Sequence, residues 1–333
     1  MSTKEQDQDK PKSVNESFDQ TMSDEDILKK AKINETALSK YQVEQLISFI
    51  VDFSELLSDF KYYPYERPFA RRIVTSVVTG EGATISGEFA RQSGKSSTCA
   101  TIVAAMAIIL PVLGEKFHQY NIKSHFTNFR KGFWCGIYAP DYSRASIIGG
   151  KINAVFHSER AQEMLYSEFE MVFPKKITNY ISRLPKNSFI NVRSANKKVS
   201  IEGDTYHLVI TDETQEMDDY VIKKSIRPML ASTNGTAVHI GSSYHRKVYF
   251  YDIIRLNKER DVHLSDKKRA NFTVLYTEVI KYNKMYRKYI ENEKIVLGET
   301  SEEFRMSYEL YWPLEAGMFI SEEHLRLHLG VDQ

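Results

Sequence analysis

An α/β fold, with a mostly parallel central sheet flanked by helices, is predicted for this chain of 333 residues by three observations. Apolar, β-branched runs alternate with helical patterns through its middle, the arrangement that lays strands side by side with crossover helices on both faces. The short run Ser86-Gly87-Glu88-Phe89 leads through a polar loop into Gly94-Lys95-Ser96 and then into a long apolar stretch, which reads as strand, phosphate-binding loop and helix. A second run, Tyr206-His207-Leu208-Val209-Ile210-Thr211, ends on Asp212-Glu213 and so carries two carboxylates to a strand tip. Right-handed crossovers bring both tips to the carboxyl edge of one sheet.

Composition sets bounds rather than a function. Hydrophobic residues make up 42% and charged residues 27%, ordinary values for a globular chain. The net charge is +1, but residues 1–26 hold three Lys and eight Asp or Glu, a balance of −5 that leaves +6 on the remainder. An acidic tail precedes a mildly basic body. Cys99 and Cys135 have no metal-ligand spacing and read as buried thiols, excluding a disulfide framework. No apolar signal core opens the chain, and the run Cys99 to Leu113 is too short to span a bilayer, so a cytoplasmic location without membrane contact is expected.

Taken in order, residues 1–38 are too polar to bury a core and are expected to form a disordered or loosely docked acidic arm. Residues 39–80 form a helical lead-in. Val43, Leu46, Ile47, Ile50, Val51, Phe53, Leu56 and Leu57 recur at helical spacing between Tyr41 and Phe60, and a second helix runs from about Pro68 to Val78. Residues 81–260 form the core. Its loop, Ala90-Arg91-Gln92-Ser93-Gly94-Lys95-Ser96-Ser97, lacks the leading glycine of the usual P-loop pattern, Phe89 standing there. Backbone N–H groups around Gly94 would cradle phosphate oxygens. Lys95 would neutralise the β- and γ-phosphates of ATP, and Ser96 would hold Mg²⁺. Ser97 to Leu113 is apolar all round and reads as a buried helix, Phe133 to Ala139 as a central strand, and Ser143 to Phe156 as a helix.

Lys175, Lys176, Arg183, Lys186, Arg193, Lys197 and Lys198 lie in a span without acids, which reads either as a DNA-phosphate track or as a solvated hairpin face. Short strands are expected at Ser188–Val192 and Val199–Ile201. Asp212 at the next strand tip would share the Mg²⁺ with Ser96, and Glu213 would polarise the attacking water, the Walker B arrangement. Thr236 to Ile240 forms a further strand ending in Gly241-Ser242-Ser243, followed by a helix to about Leu256. Residues 261–333 form a C-terminal lid region, with a strand at Phe272 to Tyr276 and a helical row of Tyr282, Tyr286 and Tyr289 that reads as a packing edge.

The loop Arg91-Gln92-Ser93-Gly94-Lys95-Ser96, the Thr211-Asp212-Glu213-Thr214-Gln215 end and the Ala139-Pro140-Asp141-Tyr142-Ser143-Arg144-Ala145 turn together resemble the ATPase domain of the large terminase subunit of tailed bacteriophages, over roughly residues 60 to 325. The resemblance implies a P-loop NTPase of the ASCE/RecA-like class with helical additions at both ends, packaging double-stranded DNA into a procapsid in the host cytoplasm. It implies a ring of subunits, a portal protein and a small terminase subunit as partners, and a nuclease domain expected outside these residues, either further along a longer protein or on a separate one. By the same resemblance Arg91 would sit near the γ-phosphate, and Gly241, Ser242 and Ser243 would couple hydrolysis to movement. Tyr65 and Glu66 stand where the family has an aromatic and an adenine-recognising glutamine; they read either as that segment or as a turn capping the next helix. Glu202 stands where the family has a trans-acting arginine, so that role is not carried over; Arg144, Arg193 and Arg246 are candidates for it, each of which reads equally as a surface arginine. The alternatives are a helicase-like or remodelling ATPase, and a nucleotide-binding module without turnover; Glu213 argues against the second.

Overall fold

In a computed structural model the chain is described over residues 37–169, 181–196 and 203–313. The acidic arm up to residue 36, the expected strand at Val199–Ile201, and Lys175, Lys176, Lys197 and Lys198 lie outside the described residues.

The lead-in consists of α1 (Lys40–Ser58) and α2 (Arg67–Thr79). A capping box starts α1: the Gln42 N–H donates to Ser39 Oγ at 3.2 Å and the Ser39 N–H to Gln42 Oε1 at 2.9 Å. Its apolar stripe, Ile47, Ile50, Val51 and Leu57, is buried against the helix that follows the P-loop. That helix, α3 (Lys95–Gln119), is long and apolar enough to cross a membrane by length and composition, but 83% of its apolar window is buried inside the fold, as a core helix requires.

Seven strands form one sheet: β1 (Thr84–Phe89), β2 (Trp134–Ala139), β3 (Ile181–Arg183), β4 (Phe189–Ser194), β5 (Leu208–Thr211), β6 (Thr236–Gly241) and β7 (Asn271–Val274). Their order is β3-β4-β2-β5-β6-β1-β7, all parallel except the edge strand β3. The main core, on one face, joins α1, α2 and α3 with α4 (Tyr142–His157) and α5 (Glu159–Phe169). A smaller cluster including Tyr206, Ile222, Met229 and Tyr249 covers the other face. The expected α/β P-loop architecture is therefore present.

Two boundaries differ from the sequence reading, each for a hydrogen-bonding reason. The last strand stops at Val274 because its partner β1 ends at Phe89, opposite Val274, and Tyr276 instead opens α7 (Tyr276–Tyr282). The helix after β6, α6 (Tyr249–Asp261), runs past Leu256. Its polar end is used internally: Asn257 donates to Ser86 Oγ at 2.9 Å, and Asp261 accepts the N–H groups of Ala270 and Asn271 at 2.7 and 2.8 Å. The chain continues through α8 (Lys284–Glu293) and α9 (Glu302–Tyr308).

Candidate active site

The P-loop geometry follows from a few small residues. Phe89, where the usual motif has glycine, points into the core against Phe69, so the turn begins only at Ala90. Ser93 Oγ donates to the Ala90 carbonyl at 2.6 Å, and Gln92 and Gly94 take positive φ of 60° and 94°. The first intrahelical bond of α3 runs from the Thr98 N–H to the Gly94 carbonyl at 2.9 Å. The amides of Lys95, Ser96 and Ser97 thus precede the helical ladder and form the positive end of a 25-residue helix.

Sheet order decides what faces that end. Because β6 lies between β1 and β5, its tip emerges between the P-loop and Asp212-Glu213. Lys95 Nζ donates to Glu213 Oε1 at 2.8 Å, and Ser96 Oγ to Asp212 Oδ2 at 3.1 Å. Glu213 has left-handed φ and ψ of 50° and 44°, a conformation costing about 1 kcal/mol in a non-glycine residue, and its N–H donates to Asp212 Oδ1 at 2.9 Å. Burial alone would raise the Glu213 carboxyl, but Lys95, the Gln215 amide and Arg91 outweigh it and hold the group below the usual carboxylate range. Burial raises Asp212, with Lys95 pulling the other way.

Two residues given no role of their own in the sequence reading complete this side. Gln215 Nε2 donates to Glu213 Oε2 at 2.7 Å and reaches Ser242 Oγ at 3.5 Å, linking the acidic tip to the β6 tip. A Cβ on Gly241 would stand 2.0 Å from Gln215 Oε1, so glycine is what lets Gln215 sit there. Lys151, from α4, donates to Ser97 Oγ at 2.8 Å and adds a second ammonium to the cleft. A glutamine two positions past the acidic pair was a visible signal; a helix lysine 56 positions past Lys95 was not.

The other side of the P-loop is different. Glu66 is 1% exposed, and its Oε2 accepts the Tyr63 N–H at 2.7 Å. Its Oε1 has no hydrogen-bond partner, nor has the neighbouring buried Thr98 hydroxyl. A Cβ on Gly94 would lie 1.9 Å from Glu66 Oε1, so the carboxyl packs directly under the loop. Burial pushes it up to about 7 against the Tyr63 N–H and the nearby Thr98 hydroxyl. Tyr65 is half-buried in a ring cluster with Tyr63 and Tyr282, at centroid distances of 5.6 and 6.1 Å. Neither Tyr65 nor Glu66 is among the residues that line the open cleft: the carboxyl packs beneath Gly94 and the ring on its neighbours.

The cleft itself has a volume of about 1120 Å³. Residues 91–97 form one wall, Asp212, Glu213 and Gln215 another, and Tyr289, Glu293, Met306 and Ser307 of the C-terminal segment the third. That segment is strapped to the loop. The Arg91 N–H donates to the Ser307 carbonyl at 2.9 Å, Tyr286 OH donates to the Arg91 carbonyl at 2.8 Å, and Ser243 Oγ donates to the Met306 carbonyl at 2.7 Å. Tyr286 is buried while Tyr289 lines the cleft, so the tyrosine row is more than a packing edge.

The remaining candidates sit elsewhere or are committed. Arg144 lines the cleft of its own chain, paired with Glu216 and with Asp141 at 3.3 Å. Arg193, on β4, is paired with Asp204 at 3.0 Å, so it is not a free cation for DNA. Arg246 donates to the Trp312 carbonyl at 3.0 Å. Both cysteines are free and buried.

No protein-family model matches this sequence, and no curated protein matches it. Among solved structures, the large terminase ATPase domain of Thermus phage P74-26 is similar with a TM-score of 0.54 at 18% identity, over 78% of this chain and 97% of that one. An arginine-to-alanine mutant of the same domain gives 0.54 at 19% identity over the same shares. The likeness is one of backbone rather than sequence, and it spans nearly the whole of that domain: the chain has the fold of phage large terminase ATPase domains.

Proposed function

We propose that this chain is an ATP-hydrolysing motor that drives double-stranded DNA into a viral procapsid, the ATPase part of a large terminase. The observation that carries the reading is the convergence of Lys95, Ser96, Asp212 and Glu213 in one cleft, with Glu213 bonded on one side to Lys95 and on the other, through Gln215, toward Ser242.

The triphosphate would lie over the amides of Lys95, Ser96 and Ser97, where helix dipole and N–H groups favour anions. Lys95 would exchange its bond to Glu213 for phosphate oxygens, releasing the carboxylate to orient water and take its proton. Arg91 and Lys151 flank the same space and would stabilise charge on the transferring phosphoryl group. Ser96 Oγ and the Asp212 carboxylate offer hard oxygens 3.1 Å apart, a donor set that suits Mg²⁺. When bound there, the ion would supply charge neutralisation of the β- and γ-phosphates. Once Glu213 changes partner, Gln215 must follow it or stay with the β6 tip, and that choice would pass the state of the site to Ser242 and Ser243.

The same proposal takes duplex DNA as the moved substrate, and a ring of copies on a portal, served by a small terminase subunit, as the working form. The test is steady-state ATP hydrolysis with and without duplex DNA, at concentrations that favour assembly, for the wild type beside Lys95→Ala and Glu213→Ala. A loss of about 10³-fold in kcat for Glu213→Ala with ATP binding retained is expected. Binding without turnover in the wild type, unchanged by Glu213→Ala, would replace the motor by a nucleotide-binding module.

A further inference from the structure

A second cavity, of about 470 Å³, opens at the opposite edge of the sheet, where strands begin rather than end. Trp134 is the first residue of β2, and His207 directly precedes β5. The helical turn His125–Lys131 contributes Asn128, Arg130 and Lys131, α3 contributes His118 from its last turn, and Ser232 closes the far side.

The chemistry of this lining is one-sided. No carboxylate is among the described residues that form it. His207 is 7% exposed, and its Nδ1 accepts the Trp134 N–H at 3.1 Å, which places the ring proton on Nε2. Burial holds this imidazole down at about 4, so it stays neutral and donates. The Trp134 ring stacks on His207 and on Phe189, at centroid distances of 4.9 and 5.9 Å. Arg130 already donates to His118 Nε2 at 2.9 Å, so that imidazole acts as an acceptor and leaves the guanidinium's other N–H groups to a ligand. The Lys131 ammonium, the rest of the Arg130 guanidinium and His207 Nε2–H remain as uncommitted donors, beside the Ser232 hydroxyl and the Asn128 carbonyl oxygen, which can accept. An acceptor-rich anion carrying a polar body suits such a set, and the volume exceeds that of a bare oxyanion while falling in the range of small-molecule sites.

We propose that this cavity is a second anion site, binding a phosphate group that carries a nucleotide-sized body. The phosphate meets Arg130 and Lys131 at the rim and His207 at the base. It is separate from the P-loop cleft, and it stands whether or not that cleft hydrolyses ATP. One chemistry admits two sources, a free mononucleotide or a backbone phosphate of a nucleic-acid strand.

Calorimetry on the full chain carrying Lys95→Ala, which silences the P-loop, distinguishes them. Probes are inorganic phosphate, AMP and a short DNA duplex, each against Arg130→Ala/Lys131→Ala in the same background, with unchanged thermal unfolding as the control that these exposed substitutions preserve the fold. If AMP binds and weakens at least about tenfold in the double variant, the occupant is a free nucleotide. If only the duplex binds, and the double variant lowers the slope of log affinity against log salt by about 2, it is a strand backbone. Trp134, one of only two tryptophans, should report either event in fluorescence. No binding by any probe at millimolar concentration, or equal binding by the double variant, overturns the site.

Discussion

On the cleft side of the P-loop, Glu213 is held by Lys95 at 2.8 Å and Gln215 at 2.7 Å, whereas on the core side Glu66 leaves Oε1 without a partner against Gly94. Both carboxyls are largely withdrawn from water, the Glu213 side chain 27% exposed and Glu66 1%, yet the first is held below the ordinary range and the second pushed up to about 7. Burial raises each of them; the presence of an ammonium decides the outcome. The Lys95 ammonium keeps the cleft carboxylate charged. Nothing of the kind faces Glu66, whose surroundings are Tyr62, Tyr65, the Thr98 hydroxyl and the loop backbone.

The contrast can be broken most severely at the glycine between them. Gly94→Ala combines a positive φ with a Cβ 1.9 Å from Glu66 Oε1, and an unfolding titration should show a loss of about 4 kcal/mol together with lost nucleotide binding. Adding Glu66→Ala clears the space and should restore part of the stability but not the backbone strain. A full restoration would mean that the conformation of Gly94 is unimportant.

Next in size is the pH dependence of Glu66. Its folded value lies above the ordinary 4.5, so its contribution to stability is fully present below about pH 4.5 and is lost as pH rises through about 7. The loss amounts to on the order of 3 kcal/mol. Glu66→Gln has no charge to bury, and the gap between the two unfolding curves should shift in favour of the variant over that window. Parallel curves from pH 4 to pH 8 would mean that the carboxyl is solvated after all. The smallest effect is expected from Gln215→Ala, which removes one hydrogen bond to a charged group and should lower kcat about tenfold without moving the affinity for ATP.

Much of this was legible in the chain. The strands β1, β2 and β5 and the helix α3 follow from apolar runs bounded by a Gly-Lys-Ser loop, a Pro-Asp stop and an acidic pair, all local signals. Phe272 to Tyr276 misled because a β-branched and aromatic run keeps its strand character only while a neighbour is there to pair with, and β1 had ended. The position of Glu66 under Gly94 depends on how α2 packs beneath the loop, which no spacing in the sequence encodes. Lys151 reaches Ser97 only because α4 and α3 lie side by side. What was missed are side chains whose partners are far off in sequence and whose own type looks ordinary on a helix.

Two neighbouring carbonyls of α9 measure the site from outside it. Met306 accepts from Ser243 at the tip of β6, and Ser307 accepts from Arg91 in the P-loop. Helix geometry fixes the spacing of those two acceptors, so α9 acts as a caliper laid across the gap between loop and strand tip. Any change in that gap must either open one jaw or carry the whole helix along, and with it Trp312, whose indole N–H reaches back to Glu88 on β1 at 3.2 Å. An adjustment around the P-loop would thereby be handed to α9 as a whole rather than absorbed within the loop.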